Sequence, residues 1–232
     1  MAAVARKTNW FAIGVSIAVV VVLVVVGLVV YLGNTAATSP GEAPESSAVN
    51  ADTGAIAVGS GSGTVDTYID FMCPICNQFE QTYGDTLQQL SSDGTITLNI
   101  HPISILDRQS QGTEYSTRAA NAAYCVAVDD PKNVLTFVQT LYANQPEEGS
   151  TGLTDDQLAA YAQQSGASAS VASCISDGTY KKYVTAMTRN TPVQPGGSGI
   201  ATPTIAVNGT VLSNSADLTG NPQTDFIDRL KS

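Results

Sequence analysis

Read by the spacing of its apolar positions, the chain falls into three parts. Trp10 to Leu32 is an unbroken run of uncharged residues in which valine is the commonest. About 20 apolar residues, each rising about 1.5 Å, span the hydrocarbon core of a bilayer, so this run predicts a transmembrane helix over 10–32. It exceeds the roughly 7–15-residue apolar core of a cleaved leader. That favours a retained anchor, with cleavage after Thr35-Ala36-Ala37 as the alternative. Residues 33–54, "GNTAATSPGEAPESSAVNADTG", are small, polar and aperiodic, the pattern of a flexible tether.

The third part, 55–232, alternates strand and helix signals. "TVDTYIDF", Thr64 to Phe71, is rich in β-branched and aromatic residues and predicts a strand. From Pro74, Ile75, Phe79, Tyr83, Leu87 and Leu90 recur every three or four residues, predicting an amphipathic helix that Gly84 weakens and Gly94 ends. "TITLNI", Thr95 to Ile100, predicts the next strand, so the crossover is long enough for a parallel βαβ unit. Between about 111 and 190 the segments "EYSTRAANAAYCVAV", "NVLTFVQTLYANQ", "TDDQLAAYAQQSG" and "ASVASCI" are Ala-rich and helix-patterned, a helical insertion. "TPTIAVNGTVLS" returns to strand chemistry, and its Asn208-Gly209 predicts a hairpin turn. Asn208-Gly209-Thr210 is also a glycosylation sequon, although the turn is sufficient reason for it. "NPQTDFIDRLK" closes as a short helix. The fold class is therefore α/β.

Charge sets the orientation. Arg6 and Lys7 precede the apolar run and no Lys or Arg recurs before Arg108. Positive flanks stay cytoplasmic, which puts 1–9 inside and the C-terminal domain outside, on a single-pass anchor in the cytoplasmic membrane. All 20 acidic residues and 8 of the 10 basic ones lie beyond residue 32, a net charge of −12 there. Such a surface repels phosphate backbones, so no nucleic-acid partner is expected.

The candidate chemistry is in Cys73-Pro74-Ile75-Cys76, where the first strand gives way to the helix. Pro74 suits the first helical position, where its missing N–H costs nothing. Cys73 then sits at the helix start, where free N–H groups and the positive end of the dipole lower a thiol pKa. Cys76 lies one turn on, within disulfide reach and shielded. An exposed activated thiol backed by a resolving thiol is what thiol–disulfide exchange requires. The rivals are an inert disulfide, which closes too short a loop to stabilise much, and half of a zinc site. Zinc lacks a second close ligand pair: Cys125 and Cys174 stand alone, 49 apart, and His101 is the single histidine. No metal or other cofactor is expected. His101, before Pro102, reads as a surface or packing residue, with tuning of a thiolate as the sharper alternative.

Phe71, Cys73-Pro74-Ile75-Cys76, Phe79 and the later Ala201-Thr202-Pro203-Thr204 together resemble the DsbA-like thiol–disulfide oxidoreductases of the thioredoxin superfamily. The membrane-anchored actinobacterial type is the nearest resemblance. It covers roughly Ala55 to Lys231 and implies a thioredoxin fold with a helical insertion. It further implies Cys73 as the attacking cysteine and Cys76 as the resolving one. Pro203 would be a cis-proline that presents backbone to substrate, flanked by Thr202; an ordinary trans turn proline is the alternative. Cys125 and Cys174 would form a structural disulfide, against two buried free thiols or a second redox pair.

The implied work is introduction of disulfides into exported proteins with free thiols, with reoxidation by a quinone-linked membrane partner. A reductase or isomerase using the same pair is the alternative; a docking module that keeps the fold without catalysis is another. Two positions depart from the family pattern. Ile75 replaces the usual histidine, which implies a less oxidising potential. Thr67 stands where many relatives hold a buried acid six residues before the first cysteine, leaving Asp66 or Asp70 as substitutes. Pro74, Ile75 and Asp70 are thus the candidate tuners of the cysteine pKa.

Overall fold

A computed structural model describes residues 10–38 and 40–231. The chain divides into two units between Ser39 and Pro40. The first is a single helix, α1 (Trp10–Thr38), in which Ile13–Tyr31 is long and apolar enough to cross a membrane, with a mean hydropathy of 3.3. Arg6 and Lys7 lie outside the described residues.

The second unit is built on a five-stranded sheet of order β1-β3-β2-β4-β5. β2 (Gly63–Ile69) and β3 (Ile96–Pro102) run parallel, Val65 opposite Leu98 and Tyr68 opposite His101, joined by α2 (Pro74–Ser92). β1 (Ile56–Val58) adds to β3 antiparallel; β4 (Thr204–Val207) adds to β2 and β5 (Thr210–Val211) to β4, also antiparallel. The turn between β4 and β5 takes the left-handed conformation at Asn208 (φ 47°) and Gly209 (φ 78°), as an Asn-Gly hairpin turn demands. The Asn208 side chain accepts the Thr64 N–H at 3.0 Å, so its amide ties the turn to β2.

Alternation along β2 puts Val65, Thr67 and Ile69 on the core face and leaves Asp66 and Tyr68 half-covered on the other. The buried face of α2 is Cys76, Phe79, Tyr83 and Leu87. Ile75, expected on that face, is instead 55% exposed. Cys76 occupies the inward position at that level of the helix, so Ile75 turns to the surface. Gly84 has a local reason: a Cβ there would fall 2.5 Å from Oε1 of Glu80, whose carboxyl folds back over it.

The insertion comprises α3 (Tyr115–Asp129), α4 (Val134–Ala143), α5 (Asp155–Gln164), α6 (Val171–Asp177) and α7 (Lys181–Thr188). α3 touches the other four and is buried nearly all round; its alanines let the neighbours close in. α5 begins with a capping box, Thr154 and Gln157 each bonding the other's backbone N–H. After β5 come α8 (Asn214–Asp217), a π turn at Gln223–Ile227 and α9 (Asp228–Leu230).

Residues 40–54, expected to belong to a flexible tether, lie against this unit. Ser46 Oγ donates to the Ala127 carbonyl at 2.8 Å, Tyr183 donates to that of Ala51 at 2.9 Å, and Val49 bridges Ile56. Gly41 packs where a Cβ would meet Lys182 Cβ at 2.8 Å. Their pairings are with residues far along the chain, which a small, polar composition does not reveal.

Candidate active site

β2 ends at Ile69, and the chain is turned by Asp70 before α2 can start. One carboxylate oxygen of Asp70 accepts the Met72 N–H (2.9 Å); the other accepts those of Ile105 (2.8 Å) and Leu106 (3.0 Å), on the loop after β3. The side chain is fully buried, and burial raises its pKa while these donors pull it down. Asp70 therefore acts as a strut between two loops. Its charge opposes ionisation of Cys73 rather than promoting it.

Cys73 is the N-cap of α2 with extended backbone (φ −74°, ψ 118°), and Pro74 opens the helix. Cys73 and Cys76 are free thiols. A hydrogen bond from the Cys76 thiol holds Cys73 below the ordinary thiol value, and the N–H groups of Cys76 and Ile75 at the helix start act in the same direction. The sequence assigned that effect to the helix start alone; the neighbouring thiol is the larger cause. Burial pushes Cys76 well above the ordinary value, and its bond to Cys73 adds to this. Cys73 therefore ionises first and Cys76 keeps its proton. Cys73 is only 5% exposed, less open than expected, and Cys76 is fully buried.

Thr202 faces both sulfurs. The Cys73 thiol is 3.6 Å from the Thr202 carbonyl oxygen, and Cys76 Sγ is 3.0 Å from the Thr202 hydroxyl. That hydroxyl accepts the Asp70 N–H and donates to the Tyr68 carbonyl, both at 3.2 Å, which stitches the loop to the end of β2. The Thr202–Pro203 peptide bond is cis. The Pro203 carbonyl accepts from Gln194 (2.9 Å) and Asn214 (2.7 Å), two residues without a signal in the sequence. Next to Pro203 runs a groove of about 320 Å³ between α2 and the C-terminal segment, lined by Ile75, Phe79, Pro203 and Leu218 among others. Its far wall is held by Asp225. This buried carboxylate accepts from Tyr83 Oη at 2.7 Å and from the N–H groups of Thr219 and Gly220.

The insertion reaches the same place. Tyr142 donates to the Asp70 carbonyl at 3.3 Å, and the Gln145 side-chain amide donates to the Phe71 (3.0 Å) and Cys73 (2.9 Å) carbonyls.

The other candidates lie elsewhere. Cys125 on α3 and Cys174 on α6 are bonded to each other, with Cα atoms 5.9 Å apart. His101 is buried on the far face of the sheet, stacked on Tyr68 at 4.0 Å. Its hydrogen bonds go to Asp66 (3.0 Å) and the Thr53 carbonyl (3.3 Å), so Asp66 is engaged there rather than near the sulfurs. Thr67 is buried beside Glu80 and Gly84 around a space of about 10 Å³, room for one water.

Three comparisons bear on this geometry. A family model described as thioredoxin matches residues 54–222. The reduced disulfide bond oxidoreductase DsbG of Mycobacterium tuberculosis is 31% identical with a TM-score of 0.60, over 68% of this chain and 80% of that one. Reduced DsbA of Mycobacterium tuberculosis is 27% identical, also with a TM-score of 0.60, over 74% and 97%. Among curated sequences, the serine/threonine-protein kinase PknE of Mycobacterium tuberculosis is 36% identical over 119 residues, half of this chain. The match spans 21% of the kinase, so the likeness is to a segment of it. The chain thus belongs to the thioredoxin family, with the fold of its DsbA-like thiol–disulfide oxidoreductases.

Proposed function

We propose that this is a protein thiol–disulfide oxidoreductase, held by α1 in the cytoplasmic membrane with its C-terminal unit outside, that introduces disulfides into exported proteins. The observation that carries the reading is the asymmetry of the pair. Cys73 is lowered and keeps a slight exposure at the start of α2, while Cys76 is raised, fully buried and held against Thr202. A disulfide between two such sulfurs is attacked at Cys73 and releases its electrons toward Cys76.

In the oxidising direction the enzyme starts with Cys73 and Cys76 bonded. A substrate thiolate attacks Cys73 Sγ; the new S–S bond is a mixed disulfide, and Cys76 leaves as a thiolate. Burial disfavours that charge, so Cys76 takes up the proton released by the second substrate thiol, while the Thr202 hydroxyl 3.0 Å away can turn its O–H to it. A second substrate thiolate then attacks the substrate sulfur of the mixed disulfide. Cys73 departs as the stabilised thiolate. The substrate's thiolate and thiol have become one disulfide, and the enzyme holds the two electrons as a reduced pair, Cys73 as thiolate and Cys76 as thiol. Turnover requires reoxidation, which we assign to a quinone-linked membrane partner.

Orientation rests on Arg6 and Lys7 before the apolar run and on the lack of any Lys or Arg after it until Arg108. A Cys125–Cys174 disulfide is at home in an oxidising compartment. Oxidation of a reduced, unfolded substrate protein, measured against reduction of insulin, tests the direction. Faster insulin reduction would assign the pair to a reductase or isomerase. A Cys73→Ser chain that traps no substrate and retains its role in the cell would leave only a docking module.

A further inference from the structure

The turn that carries Cys73 is held from outside the thioredoxin-like part of the unit. Cys73 contributes its carbonyl to α2 as the N-cap acceptor, receiving the Asn77 N–H at 3.2 Å. The same carbonyl accepts a second donor, Nε2 of Gln145, at 2.9 Å, and that nitrogen also serves the Phe71 carbonyl at 3.0 Å. Gln145 lies 72 residues along the chain from Cys73, just past the end of α4.

Its orientation is not free. The NH₂ group has two hydrogens and two carbonyls to receive them. Its Oε1 accepts from Asn77 Nδ2 at 3.0 Å, and the other hydrogen of that Asn77 amide goes to the Tyr142 carbonyl at 3.1 Å. A flipped Gln145 would set an oxygen against two carbonyl oxygens and a nitrogen against a donor. The amide thus closes a ring that runs from the first turn of α2, through Asn77 and Gln145, back to Cys73.

We propose that Gln145 is a positioning residue for the Cys73 sulfur: by pinning the Phe71 and Cys73 carbonyls, it fixes the peptide planes that open α2 and keeps the Ile75 and Cys76 N–H groups aimed at that sulfur. The insertion is in this way a part of the redox centre, although neither reacting atom belongs to it. The inference rests on the function proposed above. The titratable groups that face the sulfur are Cys76 on α2, Asp70 after β2 and Tyr142 on α4. None of their side chains is bonded to Gln145, so removing the amide changes alignment without removing a charge.

The test is the pH dependence of alkylation of Cys73 in the reduced full-length chain in detergent, with Gln145→Leu against the parent. Removing the donors raises the Cys73 midpoint by at least about half a pH unit, which slows alkylation below the midpoint about threefold. Gln145→Glu, which turns a carboxylate toward the two carbonyls, moves it further in the same direction. A lower melting temperature with an unchanged midpoint would show a purely structural clamp and overturn the proposal. Should Gln145→Leu fail to fold, Asn77→Ala releases the same amide and must raise the midpoint; no change there overturns it equally. A parent chain whose Cys73 titrates as an ordinary thiol would instead remove the proposed function, so the two failures are distinct.

Discussion

Ile75 and Thr202 are the residues through which this site departs from a generic helix-start thiol. Ile75 is more than half exposed and offers the Cys73 thiolate nothing beyond its own N–H. A histidine in that place would add a donor and a positive charge, stabilise the reduced form and make the disulfide a stronger oxidant. We therefore expect the Cys73–Cys76 couple to lie below the roughly −120 mV of the strongly oxidising DsbA, and Ile75→His to raise it. Equilibration with glutathione buffers measures both; a parent potential at or above that value contradicts the reading. Thr202 is the hydroxyl partner of Cys76. Thr202→Val removes that partner and leaves the Asp70 N–H without its acceptor. Escape of substrates through Cys76 attack should slow, so mixed disulfides on Cys73 live longer in a trapping assay, while the Cys73 titration moves little. The Cys-Pro-x-Cys spacing and the helix it opens were legible in the sequence because each is a local pattern, whereas the place of Thr202-Pro203 came only through the family resemblance. Asp70 was legible as a nearby acid, but not that its lone pairs are occupied by three backbone donors.

Among the elements, α2, β2, β3 and the β4–β5 hairpin follow from periodicity and turn chemistry. β1 did not: three residues carry no period, and their strand character comes from pairing with β3. α7 was missed for a related reason, since Lys181–Thr188 is short and opens on two lysines. The disulfide joining α3 to α6 closes a loop of 49 residues, so its loss should cost about 4 kcal/mol by restriction of the unfolded chain. Paired Cys125→Ala and Cys174→Ala substitutions should lower the denaturation midpoint accordingly and leave the alkylation profile of Cys73 unchanged. The C-terminal wall of the groove has its own lock. Burial pushes Asp225 up, but the donors Tyr83, Thr219 and Thr224 outweigh it and leave it lowered. A lowered carboxylate stabilises the fold above its unfolded pKa of about 3.9, and the contribution fades as pH falls through the folded value. Asp225→Asn should therefore lose stability at neutral pH and lose progressively less, relative to the parent, as the medium is acidified; equal losses at every pH would contradict this.

At the scale of the whole molecule, an apolar helix and an acidic thioredoxin-like unit share one chain, and the topology proposed above puts the helix in the bilayer and the unit outside it. That arrangement predicts that a membrane-impermeant maleimide modifies reduced Cys73 in intact cells; modification only after lysis would reverse the topology. The thioredoxin-like unit also depends on distant parts of its sequence, since the insertion supplies Gln145 and the strap at 40–54 is bonded to α3 and α7. Such contacts join positions with no common motif, which is why composition and spacing did not disclose them. Everything rests on unequal sulfurs, and a titration reads that inequality most directly. Alkylation of the reduced chain across pH, with Cys73 and Cys76 quantified separately by mass spectrometry, should show Cys73 reacting with a midpoint below the ordinary thiol value of about 8.5. Cys76 should stay unmodified until far more alkaline pH. Equal reactivity of the two, or a Cys73 midpoint at or above that ordinary value, would contradict the account.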